Sequence, residues 1–207
     1  MKKLGLRFLA LGDSYTIGEG VSAPERWPAI LTGMLRAEGI PVSDPLIIAK
    51  TGWTTDELES AILREKPEGT FSLVSLLIGV NNQYRGRNAE EYRNEFRALL
   101  SRAIVFAGGK ADHVVVVSIP DWGVTPFAEG KDRLQIERAI DLFNEVNKEE
   151  SLRQQVNYID ITGQSRGLKN DGSFLASDGL HPSGKMYEAW AKEILPAILP
   201  TLQRTLE

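Results

Sequence analysis

Cysteine is absent from the chain. Disulfides, thiolate nucleophiles and cysteine-ligated metal centres are therefore excluded, while the redox compartment stays unread. Histidine is nearly absent, with only His113 and His181. No lysine or arginine run occurs, and the formal net charge over 207 residues is −4. Both facts weigh against nucleic acid as a partner. No window is apolar long enough to span a bilayer, so no integral membrane segment is expected. Met1-Lys2-Lys3 and the apolar residues after it superficially resemble a secretory leader. Arg7 interrupts that stretch and Gly12-Asp13-Ser14 follows at once, so a cytoplasmic protein is the expectation. A Gly-x-Gly-x-x-Gly after the first strand is also missing, which counts against a nucleotide-binding protein.

What is present reads as an ordinary globular domain, 42% apolar and 25% charged. There is no repeat, low-complexity segment or linker, so residues 1–207 are read as one domain. Apolar runs predict strands at Arg7 to Leu11, Pro45 to Ala49, Phe71 to Ile78, Val114 to Ile119 and Val156 to Ile161. The third is apolar enough to be central, and the fifth alternates like an edge. Helical periodicity predicts Trp27 to Glu38, Thr54 or Thr55 to Glu65 (inner face Leu58, Ile62 and Leu63), and Ala89 to Ala107. It also predicts Lys131 to Gln155, broken near its end, and Gly184 to Leu195, with Pro196 kinking or ending it. Tyr15 to Pro24 and Thr162 to His181 read as loops. Strands alternating with helices predict a flavodoxin-like three-layer α/β sandwich: a five-stranded parallel sheet with helices on both faces.

In such sheets, ligands bind at the carboxyl ends of the strands. The first strand delivers Ser14, the second Gly52, the third Asn81, and the loop after the fifth Asp178-Gly179-Leu180-His181. Ser14 is a candidate nucleophile or, equally, a cap for the following helix. Serine needs a base to take its proton, a group to hold that base in one tautomer, and donors for the oxyanion. His113 precedes the fourth strand and belongs at the opposite edge as an exposed loop residue. His181 lies at the right edge, with Asp178 three residues before it.

Together Gly12-Asp13-Ser14, Gly52, Gly79-Val80-Asn81 and Asp178-Gly179-Leu180-His181 resemble the four sequence blocks of the SGNH (GDSL-type) hydrolases, in order and across nearly the whole chain. The resemblance implies a metal-independent, cofactor-free esterase or lipase. Ser14 would be the nucleophile, His181 the base and Asp178 its partner. The Ser14 N–H, the Gly52 N–H and the Asn81 amide would be the oxyanion donors. Its substrates range over short-chain acyl esters, acetylated sugars, lysophospholipids and thioesters. A small-molecule ester or acetylated sugar is favoured here, because nothing resembles a lipid-binding lid. A non-catalytic carbohydrate- or acyl-binding module on the same scaffold is the alternative. One departure stands out: Asn82 occupies a position where the family usually has Asp.

Three aromatics, Trp53, Tyr84 and Trp122, follow strand ends and either border the substrate or seal the rim of the core. Gly163-Gln164-Ser165-Arg166-Gly167 matches a Gly-x-Ser-x-Gly elbow, which makes Ser165 a rival nucleophile. Leu168 to Gly179, rich in Asn, Asp and Gly, offers no helix after it.

Overall fold

A computed structural model of the protein describes residues 5–167 and 171–207. The opening Met1-Lys2-Lys3 and residues 168–170 of the stretch after Ser165 lie outside them. Five parallel strands form one sheet in the order β2-β1-β3-β4-β5: β1 (Phe8–Gly12), β2 (Leu46–Ala49), β3 (Leu73–Leu77), β4 (Val114–Val117) and β5 (Asn157–Ile159). Leu9, Ala10, Leu11 and Gly12 of β1 register with Leu46, Ile47, Ile48 and Ala49 on one side. The same four register with Val74, Ser75, Leu76 and Leu77 on the other. The near-continuous apolar runs of β1, β3 and β4 are buried throughout. β5 is half-buried at its edge. β2 is also an edge, with Leu46 exposed, although its apolar run reads as interior.

The chain moves from β1 outward to β2, then back across β1 to β3, β4 and β5. Right-handed crossovers therefore send the connecting helices to opposite faces. Helix α2 (Trp27–Ala37) packs against the C-terminal α8 (Gly184–Arg204); α3 (Thr55–Glu65), α5 (Ala89–Phe106) and α6 (Arg133–Arg153) pack as the second layer. One cluster of buried side chains, from Phe8 to Leu202, runs through all layers.

Several elements differ from the sequence expectation. Tyr15 to Pro24 is not simply a loop, since Ser14–Ile17 forms a one-turn helix, α1, and Ala23–Glu25 a 3-10 turn. The stretch after β3 turns into a short helix, α4 (Val80–Tyr84). Thr162 to His181 holds helix α7 (Thr162–Gly167) and a 3-10 turn at Gly172–Phe174. On α3, Ala61 is buried and Leu63 is exposed. Helix α6 is continuous. Helix α8 runs through Pro196 and Pro200 to Arg204. Its buried seam of Met186, Trp190, Ile194, Ile198 and Leu202 keeps a four-residue spacing past both prolines. Both prolines lie on the exposed face, where water can satisfy the carbonyls they leave free. His113 does lie at the amino edge of the sheet, but it is buried, with Nδ1 2.8 Å from the Ser72 carbonyl oxygen.

Candidate active site

β1 and β3 end side by side where the strand order reverses, and the site is built there. Asp13, not Ser14, caps α1: its Oδ1 accepts the Tyr15 N–H at 3.1 Å. The serine is thereby left as the first helical residue, 5% exposed. Its hydroxyl makes no hydrogen bond among the described residues, and neither its N–H nor that of Gly52 has a partner there. Asp13 is fully buried and its Oδ2 is unpartnered. Loss of solvation pushes its carboxyl up to about 7, against weaker opposition from the Tyr15 N–H.

Asp178 and His181 meet within one turn of chain. Asp178 Oδ1 accepts the N–H groups of Leu180 and His181, both at 2.9 Å. Its Oδ2 lies 2.6 Å from His181 Nδ1. A carboxylate there calls for a proton on Nδ1, which leaves Nε2 free to accept another. Burial works to raise the Asp178 carboxyl. The bonds from the His181 ring and the two backbone N–H groups outweigh it and hold the carboxyl below its ordinary value. The loop is fastened by Ala176 N–H to His181 O at 2.8 Å and Ser183 N–H to Phe174 O at 2.9 Å. The Tyr15 ring meets the imidazole edge-on, with centroids 5.8 Å apart.

Besides the Ser14 N–H, the oxyanion candidates come from the Gly52 turn and from α4, which are laced together. Gly52 has φ +87°, a conformation that side chains other than glycine's rarely adopt. Its carbonyl accepts from Arg85 Nη2 at 2.7 Å. Gly79, at φ +127°, turns the chain sharply out of β3 into α4; a Cβ there would collide with the Tyr92 hydroxyl. Asn81 follows in the first turn of α4 rather than at the strand end. One hydrogen of its amide goes to the Trp53 carbonyl at 2.9 Å, and the other remains.

A cavity of about 160 Å³ is lined by Ser14, Gly52, Asn81 and His181 together. Tyr84, Trp122 and Phe127 also line it as one aromatic cluster, with ring centroids 5.3 to 6.3 Å apart. Asp178 backs the imidazole from outside the lining. Ser14 and His181 share this cavity without a hydrogen bond between them. Catalytic contacts are often longer in the absence of substrate. Of the two readings open for it, Trp53 meets the core's rim and not the substrate border. Its side chain packs against the core and not on the cavity wall, because the turn at Gly52 directs only its carbonyl towards Asn81. Phe127 is the residue that sequence reasoning missed. It sits on a 3-10 turn far along the chain, and the Pro126 beside it was the only local signal of that turn.

The family model for GDSL-like lipases and acylhydrolases matches residues 10–189. The chain belongs to the GDSL-like lipase/acylhydrolase family. That membership places it among the carboxylic ester hydrolases. No curated protein matches it in sequence. Its fold is that of solved esterases. The structure titled TesA is 19% identical, with TM-score 0.70, covering 94% of this chain and 99% of its own. An acetylxylan esterase from Geobacillus stearothermophilus is 21% identical, with TM-score 0.70 and 94% of both chains covered. The psychrotrophic esterase EstA from Pseudoalteromonas sp. is 18% identical, with TM-score 0.68, covering 95% of this chain and 98% of its own.

Within this GDSL-like chain, the Gly-x-Ser-x-Gly stretch lies inside α7. A helix is therefore present after β5, contrary to expectation, but Ser165 sits within it rather than at its entrance. Its hydroxyl donates to Thr162 O at 2.6 Å and accepts the Asp121 N–H at 2.9 Å. Arg166 holds the Asp121 carboxylate at 2.9 Å. These bonds pin the loop that carries Trp122 and commit the one proton of the rival hydroxyl to the Thr162 carbonyl. Among the described residues, no helix is long and apolar enough to cross a membrane.

Proposed function

We propose that the protein hydrolyses small carboxylic esters through an acyl-enzyme on Ser14. Ser14 Oγ attacks the acyl carbon while His181 Nε2 takes its proton. Asp178 holds the imidazole and offsets its transient positive charge. The Ser14 and Gly52 N–H groups and the free Asn81 amide hydrogen meet the oxyanion. His181 then protonates the leaving alcohol and activates the water that releases the acid. Every group needed belongs to the polypeptide, so the scheme calls on no cofactor. The observation that carries it is the one cavity lined by Ser14, Gly52, Asn81 and His181, with Asp178 2.6 Å from the imidazole.

Size supports a small substrate. Pockets for drug-sized ligands run about 300–1,000 Å³, against about 160 Å³ here. A neighbouring apolar hollow behind Tyr15, Trp122 and Leu180 is about 30 Å³, room for little more than one water. Neither hollow has the volume for a long acyl chain. Tyr84 and Phe127 remain half open to solvent and suit the face of an acetylated sugar or a similar alcohol.

A panel of p-nitrophenyl esters of increasing length, with acetylated sugars, tests the reading. Acetyl and propionyl esters should turn over best. Ser14→Ala should abolish turnover, and a phosphonate should label Ser14 alone. Asn81→Ala should lower kcat by about 10²–10³. Labelling at Ser165, or an Asn81→Ala loss below about threefold, contradicts the scheme.

A further inference from the structure

Two of the proposed oxyanion donors, Gly52 on its turn and Asn81 on α4, are linked by a chain of three side chains, of which Asn82 and Thr55 are buried and Glu95 is part-exposed. Asn82, next to Asn81, is wholly buried, and its Oδ1 accepts the Thr55 N–H at 3.1 Å. Its Nδ2 donates to Thr55 Oγ1 at 2.6 Å, with a longer contact of 3.5 Å to Glu95 Oε2. Thr55 Oγ1 passes its one proton to Glu95 Oε2 in a short hydrogen bond. Thr55 opens α3 directly after the Gly52 turn, and Glu95 reaches in from α5. The order of donation is amide, hydroxyl, carboxylate, and each proton has one acceptor.

We propose that Glu95 is a positioning residue for the oxyanion donors, and that the frame requires one carboxylate shared between positions 82 and 95. This rests on the reading of Gly52 and Asn81 given above. The argument is a proton count. A hydroxyl donates once. If both positions carried carboxylates, two anions about 3.5 Å apart would compete for the single Thr55 proton, and nothing at position 82 would donate. The nearest cation, Arg87, is 3.8 Å from Glu95 and also serves Asp56. If both positions carried amides, the bonds would complete, but those ending on position 95 would lose their ionic reinforcement, which roughly halves their strength. If the two groups were exchanged, the chain would run in reverse. An amide at 95 would donate to Thr55 Oγ1, the hydroxyl would donate to a carboxylate at 82, and the other carboxylate oxygen would keep the Thr55 N–H.

Asn82→Asp makes the chain resemble its family more closely, yet it should lower kcat by about tenfold. Glu95→Gln should lower it about fivefold, and KM should stay within about twofold in both. The double variant Asn82→Asp/Glu95→Gln should return to within about threefold of the parent and exceed both single variants. Melting temperatures of the four proteins should show the same reversal, so an unstable single variant is still informative through the double. Losses that multiply in the double variant would overturn the proposal. So would an Asn82→Asp protein as active as the parent. The melting series needs no substrate. It separates failure of this network from failure of the esterase reading, which Ser14→Ala tests on its own.

Discussion

Asp13 shows how much one side chain can set. It caps α1, which frees Ser14, but it is fully buried with one oxygen unpartnered. Its carboxyl is raised to about 7 by burial, against about 3.9 in an unfolded chain. The folded state therefore keeps this proton while the unfolded state has lost it. The stabilisation is complete below about pH 4 and disappears as pH rises through about 7. Asn keeps the oxygen that accepts the Tyr15 N–H and cannot ionise. Asp13→Asn should thus leave the melting temperature nearly unchanged at pH 4 and raise it at pH 8. A uniform shift at both values would remove Asp13 from the pH response. Ser14 itself was legible because Gly-Asp-Ser ends an apolar run. Which residue did the capping was not, since a turn admits either Asp or Ser.

Between elements, an ion pair with a buried carboxylate joins α5 to α6. The Glu150 side chain has no exposure and takes Arg97 through Nε and Nη2 at 2.8 and 2.9 Å, with Arg93 at 3.2 Å. The Arg97 bond above all, then Arg93, overcomes burial and lowers its carboxyl to about 2. Its contribution is present above the ordinary carboxylate range and is lost as pH falls through about 2. Glu150→Gln should cost about 3 kcal/mol at pH 7. That is the upper end for lost hydrogen bonds to a charged group, and no buried charge is stranded, because Arg97 and Arg153 stay hydrated. The cost should vanish near pH 2 in urea melts. An equal cost at both pH values would show that shape, not charge, matters there. Both helices were legible from their apolar periodicity. This bond was not, because Arg97 and Glu150 are 53 residues apart.

For the molecule as a whole, the reversal of strand order at β1 brings residues near the two ends of the chain to one cavity. One sheet and one continuous buried cluster serve both halves. Removing either half would expose β1 or β3 along its length. Calorimetry should therefore give a single transition, with equal calorimetric and van't Hoff enthalpies. Two resolved transitions would divide the chain into separate units.

The sequence alone determined the strand count and the parallel architecture, and it marked Ser14, Asp178 and His181 as residues of one sheet edge. Each is marked by a local signal: an apolar run, a glycine stop, or an acid three residues from an imidazole. Only the tertiary structure decided that Trp53 turns inward while Phe127 joins the cavity, that Ser165 is a pin, and that α8 continues past its prolines. It also revealed that Glu95 supplies a carboxylate beside Asn82. Those outcomes depend on contacts between residues far apart in the chain, where packing and proton counts, rather than local preference, select the arrangement.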